Sequence, residues 1–354
     1  MKPLHRFLLT AAVALSIWAA DLAHGAQAKS LTAAPEGSFS IVVIPDTQQY
    51  RGRGSKSNPD STDEVTNPVF DAHTRWIVEN LAAQRIVFVS HVGDIVERNV
   101  PAQWQVARGA MDRLHGRVPY GISVGNHDMT TDGDSTLFQR FFPAARFESF
   151  DWYGGHYAGS PERPAVSANN ANSFQLFSAE GLDFVFLHLE CNAPDDVLAW
   201  ANQVLAQHTD RIAIITTHMD LGPVHKPRTN EGFHDDPKGR MQWSKIHRER
   251  ANTPAQMWDK CYRRHAHLQL IFSGDQSRTT AMYLPATGDH GNTVHALLSD
   301  YTSTGPLRIY RFRPAENTID VITFDTTNEE LVESTRNVPD RQQHQFSIRV
   351  DLSQ

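Results

Sequence analysis

Cysteine is scarce in this chain, with only Cys191 and Cys261 among its 354 residues. Two cysteines cannot form the dense disulfide framework of small secreted domains, and a chain of this length buries enough surface to fold without one. A single bridge between them would suit an oxidising compartment, whereas two separate buried thiols are the simpler expectation. The scarcity therefore excludes a scaffold that depends on disulfides.

Positive charge is not in excess either. The chain has 33 Lys and Arg against 40 Asp and Glu, which gives a formal net charge of −7. Because nucleic-acid phosphates are bound by clustered Lys and Arg, this balance argues against a general nucleic-acid-binding surface. The hydrophobic share of 40% and the charged share of 21% are ordinary, so a soluble globular protein is expected.

Long hydrophobic runs are confined to the N-terminus. Lys2 and Arg6 precede an apolar run over residues 7–20, and a small-residue cleavage site ends at Ala28. This pattern predicts a secretory signal peptide over residues 1–28, with an uncleaved anchor as the alternative. No later run approaches the ~20 apolar residues of a membrane-spanning helix. We therefore expect a mature chain without a membrane span, exported to the periplasm or the extracellular space.

Strand-like and helix-like segments alternate along the chain. Apolar runs rich in Val and Ile, typical of strands buried on both faces, end in polar residues at "FSIVVIPDTQ", "RIVFVSHVGD", "PYGISVGNHD", "LDFVFLHLE", "RIAIITTHMD" and "LQLIFSGDQS". Helical periodicity is predicted over residues 68–84, 101–115 and 195–208. This order predicts a layered α/β fold, with β-sheets flanked by helices. One domain is expected over residues 36–354, with C-terminal β-strands at about 305–352.

Chemically useful side chains follow these predicted strands. They are Asp46, Asp94, Asn126, His127, His218 and Asp275. Sheets of this kind place their ligands at the C-terminal ends of the strands, so we expect these residues to meet in space. Carboxylate, amide and imidazole groups that converge on one point are what a divalent-metal site requires.

Five of these blocks together resemble the calcineurin-like metallophosphoesterase family. They are "PDTQ", "GDIVE", "GNHD", "TTHM" and "SGDQS", in this order, and the resemblance covers roughly residues 40–324. It implies phosphoester hydrolysis at a metal centre, in which hydroxide on the metal attacks phosphorus. His127 would assist the leaving oxygen, and Asp128 would orient His127.

The resemblance also implies two sets of metal ligands. The first metal would take Asp46 and Gln48, where Gln48 stands in place of a histidine, and Asp94 would bridge to the second metal. The second metal would further take Asn126, His218 and Asp275. Asp275 and Ser277 stand where the family has histidines; the imidazoles lost at Gln48 and Ser277 belong to the first site, and His295 and His91 are spare imidazoles elsewhere. This loss is expected to weaken that site and to favour harder cations, with one or two ions of Mn, Fe, Zn or Mg per chain.

Three hypotheses of function remain open at this stage. The first is an exported metal-dependent phosphoesterase that acts on a small-molecule or polymeric phosphoester, either a monoester or a diester. The second is a catalytically impaired relative that binds a phosphorylated ligand or partner without turnover. The third is a hydrolase with a single metal ion, in which Gln48 orients the attacking water. The sequence leaves the substrate, the metal and the oligomeric state undetermined.

Overall fold

The computed structural model describes residues 31–278, 280–302 and 304–352. The strands in this part of the chain are β1 (Phe39–Ile44), β2 (Ile86–His91), β3 (Tyr120–Ile122), β4 (Tyr153–His156), β5 (Ser173–Ala179), β6 (Leu182–Leu189), β7 (Ile212–Thr217), β8 (Leu221–Pro223), β9 (Lys238–Arg240), β10 (Leu268–Ser273), β11 (Ala281–Thr287), β12 (Thr293–Ser299), β13 (Pro306–Arg313), β14 (Thr318–Asp325), β15 (Glu330–Leu331) and β16 (Gln345–Arg349). The α-helices are α1 (Pro68–Glu79), α2 (Pro101–Asp112), α3 (Thr136–Phe141), α4 (Asp195–Gln207), α5 (Gly232–Asp235) and α6 (Pro254–Lys260).

Two seven-stranded sheets form the centre of the fold. The first has the order β15-β14-β13-β1-β2-β3, with β16 beside β14, and the second has the order β11-β12-β10-β7-β6-β5-β4. Strands β1, β2 and β3 are parallel neighbours, and so are β6, β7, β10 and β12. Parallel neighbours end at the same edge of their sheet, so each sheet brings several strand ends together there.

Apolar side chains fill the three spaces between the layers. Phe39, Phe88 and Phe272 belong to the group between the two sheets. Trp104 of α2 packs with the outer face of the first sheet, and Leu198 of α4 with the outer face of the second. The order of layers is therefore helix, sheet, sheet, helix, which confirms the predicted α/β fold class.

The helices begin where the sequence predicts and end earlier. Asn67 caps α1 by accepting a hydrogen bond from the N–H of Phe70 (3.1 Å), and Pro68 occupies the first turn. The helix ends at Glu79. The Asn80 N–H is shared between the carbonyl oxygens of Trp76 and Ile77, and the residues after it form turns instead of further helical bonds. The predicted ends at residues 84, 115 and 208 are corrected to 79, 112 and 207.

The C-terminal strands complete the first sheet. Strand β13 pairs antiparallel with β1 along five residue pairs, and β14 continues the sheet from β13. Strands β13 and β14 therefore extend the first sheet beyond β1, and their side chains contribute to the same core. The domain limits of 36 and 354 stay a prediction, and residues 1–28, the predicted signal peptide, lie outside the described residues. Among the helices that the structure describes, none has both the length and the apolar character needed to span a bilayer.

Both cysteines are buried free thiols, as the simpler expectation had it. Cys191 follows β6 and Cys261 follows α6. Burial raises the pKa of both thiols, to about 12 for Cys261, so neither carries a reactive thiolate at neutral pH.

His188 makes the stability of the fold sensitive to acid. It lies fully buried on β6, 2.9 Å from the Ser90 hydroxyl, and burial lowers its pKa to about 3. The folded protein keeps this imidazole neutral, whereas the unfolded chain takes up a proton below pH ~6.5. The free energy of unfolding should therefore fall by about 1.4 kcal/mol per pH unit from this residue between pH ~6 and ~4.

We expect His188→Gln, which keeps a polar partner for Ser90, to flatten this decline in urea unfolding at pH 7.5, 6, 5 and 4. The exposed His225 offers the control, because His225→Gln should leave the slope of the wild type unchanged. Equal slopes for His188→Gln and the wild type would contradict the assignment.

Candidate metal centre

The strand ends of the two sheets bring the predicted site residues to one place. Asp46 lies two residues beyond β1, Asp94 three residues beyond β2 and His218 directly after β7. Asp275 follows β10, and Asn126 follows β3. Strands β1 to β3 belong to the first sheet and β7 and β10 to the second, so the centre lies where the two sheets meet at their C-terminal edges.

The loops that carry Asp94 and Asp275 are tightly constrained. Asp94 and Asp275 have φ values of +50° and +70°, a region that few residues other than glycine adopt. A Cβ atom on Gly125 would collide with Asp94, and one on Gly274 would collide with the Asp46 carboxylate. The loops therefore approach each other as closely as their backbones allow. Unusual backbone conformations held in this way are typical of functional sites.

Three buried side chains form the middle of the centre. Asp46, Asp94 and His218 each place one ligand atom within 4.8 Å of the other two. The Nε2 atom of His218 lies 3.2 Å from Oδ1 of Asp94 and 3.5 Å from Oδ1 of Asp275. The Asp275 N–H lies 3.3 Å from Oδ2 of Asp46, so the loop that carries Asp275 is tied to the same group.

The hydrogen bonding of His218 fits a metal ligand. Its Nδ1 atom lies 3.0 Å from the Val92 carbonyl oxygen and donates to it, which leaves a lone pair on Nε2. Nε2 is buried and faces the Oδ1 atoms of Asp94 and Asp275 at 3.2 Å and 3.5 Å. A lone pair that faces carboxylate oxygens is repelled unless positive charge lies between them. A backbone carbonyl behind the imidazole is also how metal-binding histidines are usually oriented. These residues therefore fit a divalent cation.

The electrostatics of Asp46, Asp94 and His218 also favour a bound cation. Burial, with the nearby charge of Asp300, raises the pKa of Asp46 well above its usual value. Burial also opposes the charged form of His218, but Asp94 and Asp46 outweigh it and raise the pKa of that imidazole. In Asp94 burial is outweighed by the charge of His218, so its pKa is lowered. The group as a whole retains protons to offset its negative charge, and a bound divalent ion would displace them.

His127 faces the centre, but its orienting partner differs from the expected one. The His127 Nε2 atom lies 3.9 Å from Oδ2 of Asp94, and its Nδ1 atom lies 2.9 Å from the carbonyl oxygen of Glu97. Asp128 instead accepts hydrogen bonds from the backbone N–H groups of Gly125 (2.8 Å), Ile95 (2.9 Å) and Val96 (3.1 Å). The predicted role of Asp128 as the partner of His127 is therefore corrected. Its carboxylate joins the loops after β2 and β3, and the Glu97 carbonyl holds the imidazole.

Comparison with known proteins agrees with this geometry. The family model described as calcineurin-like phosphoesterase matches residues 39–276, more than half of the chain. The chain belongs to the calcineurin-like phosphoesterase family. Membership of this family implies a divalent metal, to which the cluster of Asp46, Asp94 and His218 is suited.

This calcineurin-like phosphoesterase is similar to a curated protein and to several solved structures, which it covers to different extents. It is 26% identical over 298 residues to the uncharacterized protein YvnB of Bacillus subtilis (strain 168), a match that covers 81% of this chain and 20% of that protein. The chain thus spans about a fifth of the length of this curated relative. Among solved structures, a 5'-nucleotidase precursor from Thermus thermophilus gives a TM-score of 0.45 at 12% identity, covering 86% of this chain and 56% of the other. The calcineurin-like phosphoesterase YfkN from Bacillus subtilis gives 0.41 at 11%, covering 81% and 86%.

Among the described residues, no other imidazole joins the centre in place of those that the family has and this chain lacks. His295 lies inside β12, where Nδ1 is 2.9 Å from the Tyr283 hydroxyl, five residues before that strand's polar end at Asp300. His91 supports the loop of Asp46 from behind, with Nε2 at 3.1 Å from the Thr47 hydroxyl. Neither residue belongs to the group of buried ligand atoms in the described residues. Gln48 is half-buried two residues after Asp46, and Ser277 lies in the turn after Asp275.

Two charged residues at the centre are not among the site residues predicted from the sequence, which favours a solvated basic face for residues 245–250. Lys245 places its ammonium against the Asp275 carboxylate and 3.3 Å from Oδ1 of Asn126. Asp300 follows β12, is buried, and its charge contributes to the raised pKa of Asp46. The run "VHALLSD" has the same form as the other strand ends, so Asp300 could have been found. Nothing around Lys245 in the sequence distinguishes it from a surface lysine.

Proposed function

We propose that this calcineurin-like phosphoesterase hydrolyses phosphoric esters at a divalent ion held by Asp46, Asp94 and His218. The observation that carries the proposal is the buried group of three ligand atoms within 4.8 Å of one another, in which Nε2 of His218 faces Oδ1 of Asp94 at 3.2 Å. Family membership supports the reaction class. Gln48, Asn126 and Asp275 are the further candidate ligands around this group.

In the proposed reaction, the metal ion and His127 have different roles. A bound divalent ion supplies activation of water and offsets the charge that develops on the phosphoryl oxygens. His127 in its protonated form donates Nδ1–H to the Glu97 carbonyl (2.9 Å), so that Nε2–H faces the centre. Oδ2 of the Asp94 carboxylate lies 3.9 Å from Nε2 on that side of the ring. His127 is thereby placed to protonate the leaving oxygen, a role that typically contributes about 10²–10⁴-fold to the rate.

A cavity on the Lys56 side of His127 offers room for part of a substrate. It has a volume of about 460 Å³ and is lined by residues that include Tyr50, Arg51, Lys56 and Glu97. The Lys56 ammonium lies 3.4 Å from Nδ1 of His127, which connects the cavity to the catalytic residue. A cavity of this size suits a small molecule, and its two cationic side chains suit an anionic one. We therefore propose a small phosphoester as substrate.

The test is hydrolysis by protein loaded with one metal at a time. Purified protein is stripped with chelator, reloaded with Mn²⁺, Fe²⁺, Zn²⁺ or Mg²⁺, and assayed with p-nitrophenyl phosphate and bis(p-nitrophenyl) phosphate. We expect release of p-nitrophenol that disappears on chelation and returns with metal, and the preferred compound identifies a monoesterase or a diesterase. Fully loaded protein that cleaves neither compound, yet binds phosphate, would identify the impaired relative instead.

We also propose that the enzyme is exported. The support is the charged, apolar and small-residue pattern of residues 1–28. The intact mass of the protein recovered from a bacterial periplasm should correspond to a chain that begins at Lys29. A full-length mass in the cytosolic fraction would exclude export by this route.

A further inference from the structure

The ammonium group of Lys245 lies among the residues of this chain that correspond to the family's second-metal ligands. The Nζ atom of Lys245 contacts Oδ1 of Asp275 and lies 3.3 Å from Oδ1 of Asn126. Nε2 of His218 is 3.5 Å from the same oxygen of Asp275. Two of the second site's oxygen ligands therefore already have a positively charged partner.

The position of Lys245 is fixed by its surroundings. Its backbone N–H donates to Oδ1 of Asn192 (2.9 Å), and Nδ2 of Asn192 donates to the Asn252 carbonyl (3.0 Å). Asn192 is fully buried, so this anchor belongs to the interior of the protein. The ammonium also lies 5.2 Å from the centre of the Trp243 ring, within the range of a cation–π contact. Lys245 is thus held at both its backbone and its charged end.

The arrangement of the remaining ligands leaves room for one ion. The compact group of Asp46, Asp94 and His218 takes Asp46 from the family's first site and His218 from its second. A second divalent ion near Asn126 and Asp275 would share their oxygens with the Lys245 ammonium and be repelled by it. The carboxylates of Asp46, Asp94 and Asp275, with Asp300 behind Asp46, are enough negative charge to hold one divalent ion beside one ammonium.

We propose that the ammonium of Lys245 takes the place of the second metal ion, so that the centre holds one divalent ion beside a fixed cationic side chain. The inference rests on the proposed function for the role of that ion, and it assigns to Lys245 the charge that a second metal would present to the phosphoryl oxygens. It explains how the centre can still present two positive groups to the phosphoryl oxygens after the loss of two imidazoles from the first site.

Bound metal per chain tests this directly. Wild type, Lys245→Met, Lys245→Arg and Lys226→Met are loaded with Mn²⁺, passed through a desalting column and analysed by mass spectrometry of the metal. Lys226 is the matched control, because it is exposed and lies against the same Trp243 ring (5.7 Å). We expect one ion in the wild type, in Lys245→Arg and in Lys226→Met, and two ions in Lys245→Met, where the ligands of the second site become available.

Electron paramagnetic resonance of the same samples gives a second measurement. The wild type should show the signal of isolated Mn²⁺, and Lys245→Met that of an exchange-coupled pair. Two ions per wild-type chain, a coupled pair in the wild type, or a single ion in folded Lys245→Met would overturn the proposal. If Lys245→Met does not fold, Lys245→Gln is loaded and measured in its place, with the same expectation of two ions.

The two proposals fail separately in these experiments. One ion in the wild type without hydrolysis of either p-nitrophenyl compound would reject the proposed function and retain the role of Lys245. Hydrolysis by a wild type that holds two ions would reject the role of Lys245 and retain the function.

Discussion

Asp94→Asn is expected to abolish both metal binding and hydrolysis while leaving the fold intact. Asparagine has nearly the same shape, tolerates the left-handed backbone at this position, and can still accept the His127 N–H bond of 2.8 Å. What it removes is one negative charge from the middle of the buried group. Because changes to residues behind metal ligands already cost about 10–100-fold in affinity, a direct ligand should cost more than about 100-fold. Metal titration by calorimetry and the p-nitrophenyl assays measure both effects.

Asp220→Asn provides the matched control for this variant. Asp220 is another fully buried carboxylate, two residues after His218, but it pairs with Arg240 outside the metal-binding group. Breaking that pair should lower stability without removing the metal. If both variants retain the metal, or if Asp94→Asn keeps wild-type turnover, then Asp94 is not the central ligand and the proposed centre is wrong.

Most of the fold could be predicted because it follows from local patterns. The strand β1 is buried along all six residues, and its run of Phe, Ile and Val without alternation indicates such burial from the sequence alone. The polar residues after each run then predict a common edge, since parallel strands end together. The helix ends were less accurate, because the stop of α1 at Glu79 depends on turn hydrogen bonds at Asn80 that periodicity does not show.

The rest of the site depends on contacts between segments far apart in the chain. Lys245 reaches Asp275 only because Asn192, more than fifty residues earlier, anchors its backbone. The carbonyl of Glu97 orients His127 through the path of the loop after β2, and a backbone carbonyl leaves no signature in the sequence. The resemblance to the family implied Asp128 for that role, because Asp128 matches the family's orienting carboxylate. The structure shows that adjacent side chains on this turn face different partners.

The position of Lys245 also bears on how a centre with few imidazoles can work. Loss of histidines from a two-metal site usually implies lost activity, because neutral Gln48 and Ser277 bind divalent ions weakly. A fixed ammonium removes the need for a complete second set of ligands. The substitutions and Lys245 then belong to one arrangement, in which fewer ligands serve a single ion.

His127→Ala is expected to lower kcat for alkyl phosphoesters by about 10²–10⁴-fold while metal content stays at the wild-type value. His127 lies outside the group of Asp46, Asp94 and His218, and its Nε2 is 3.9 Å from the nearest Asp94 oxygen, so its loss should leave the ion bound. The defect should be small for p-nitrophenyl esters, whose leaving group departs without a proton, and large for alkyl esters, which need one. His208→Ala is the control, since that half-buried imidazole lies beside Phe174 at the end of α4. Equal losses for both classes of ester, or a loss of metal in His127→Ala, would show that His127 acts as a ligand or a structural residue rather than as the acid.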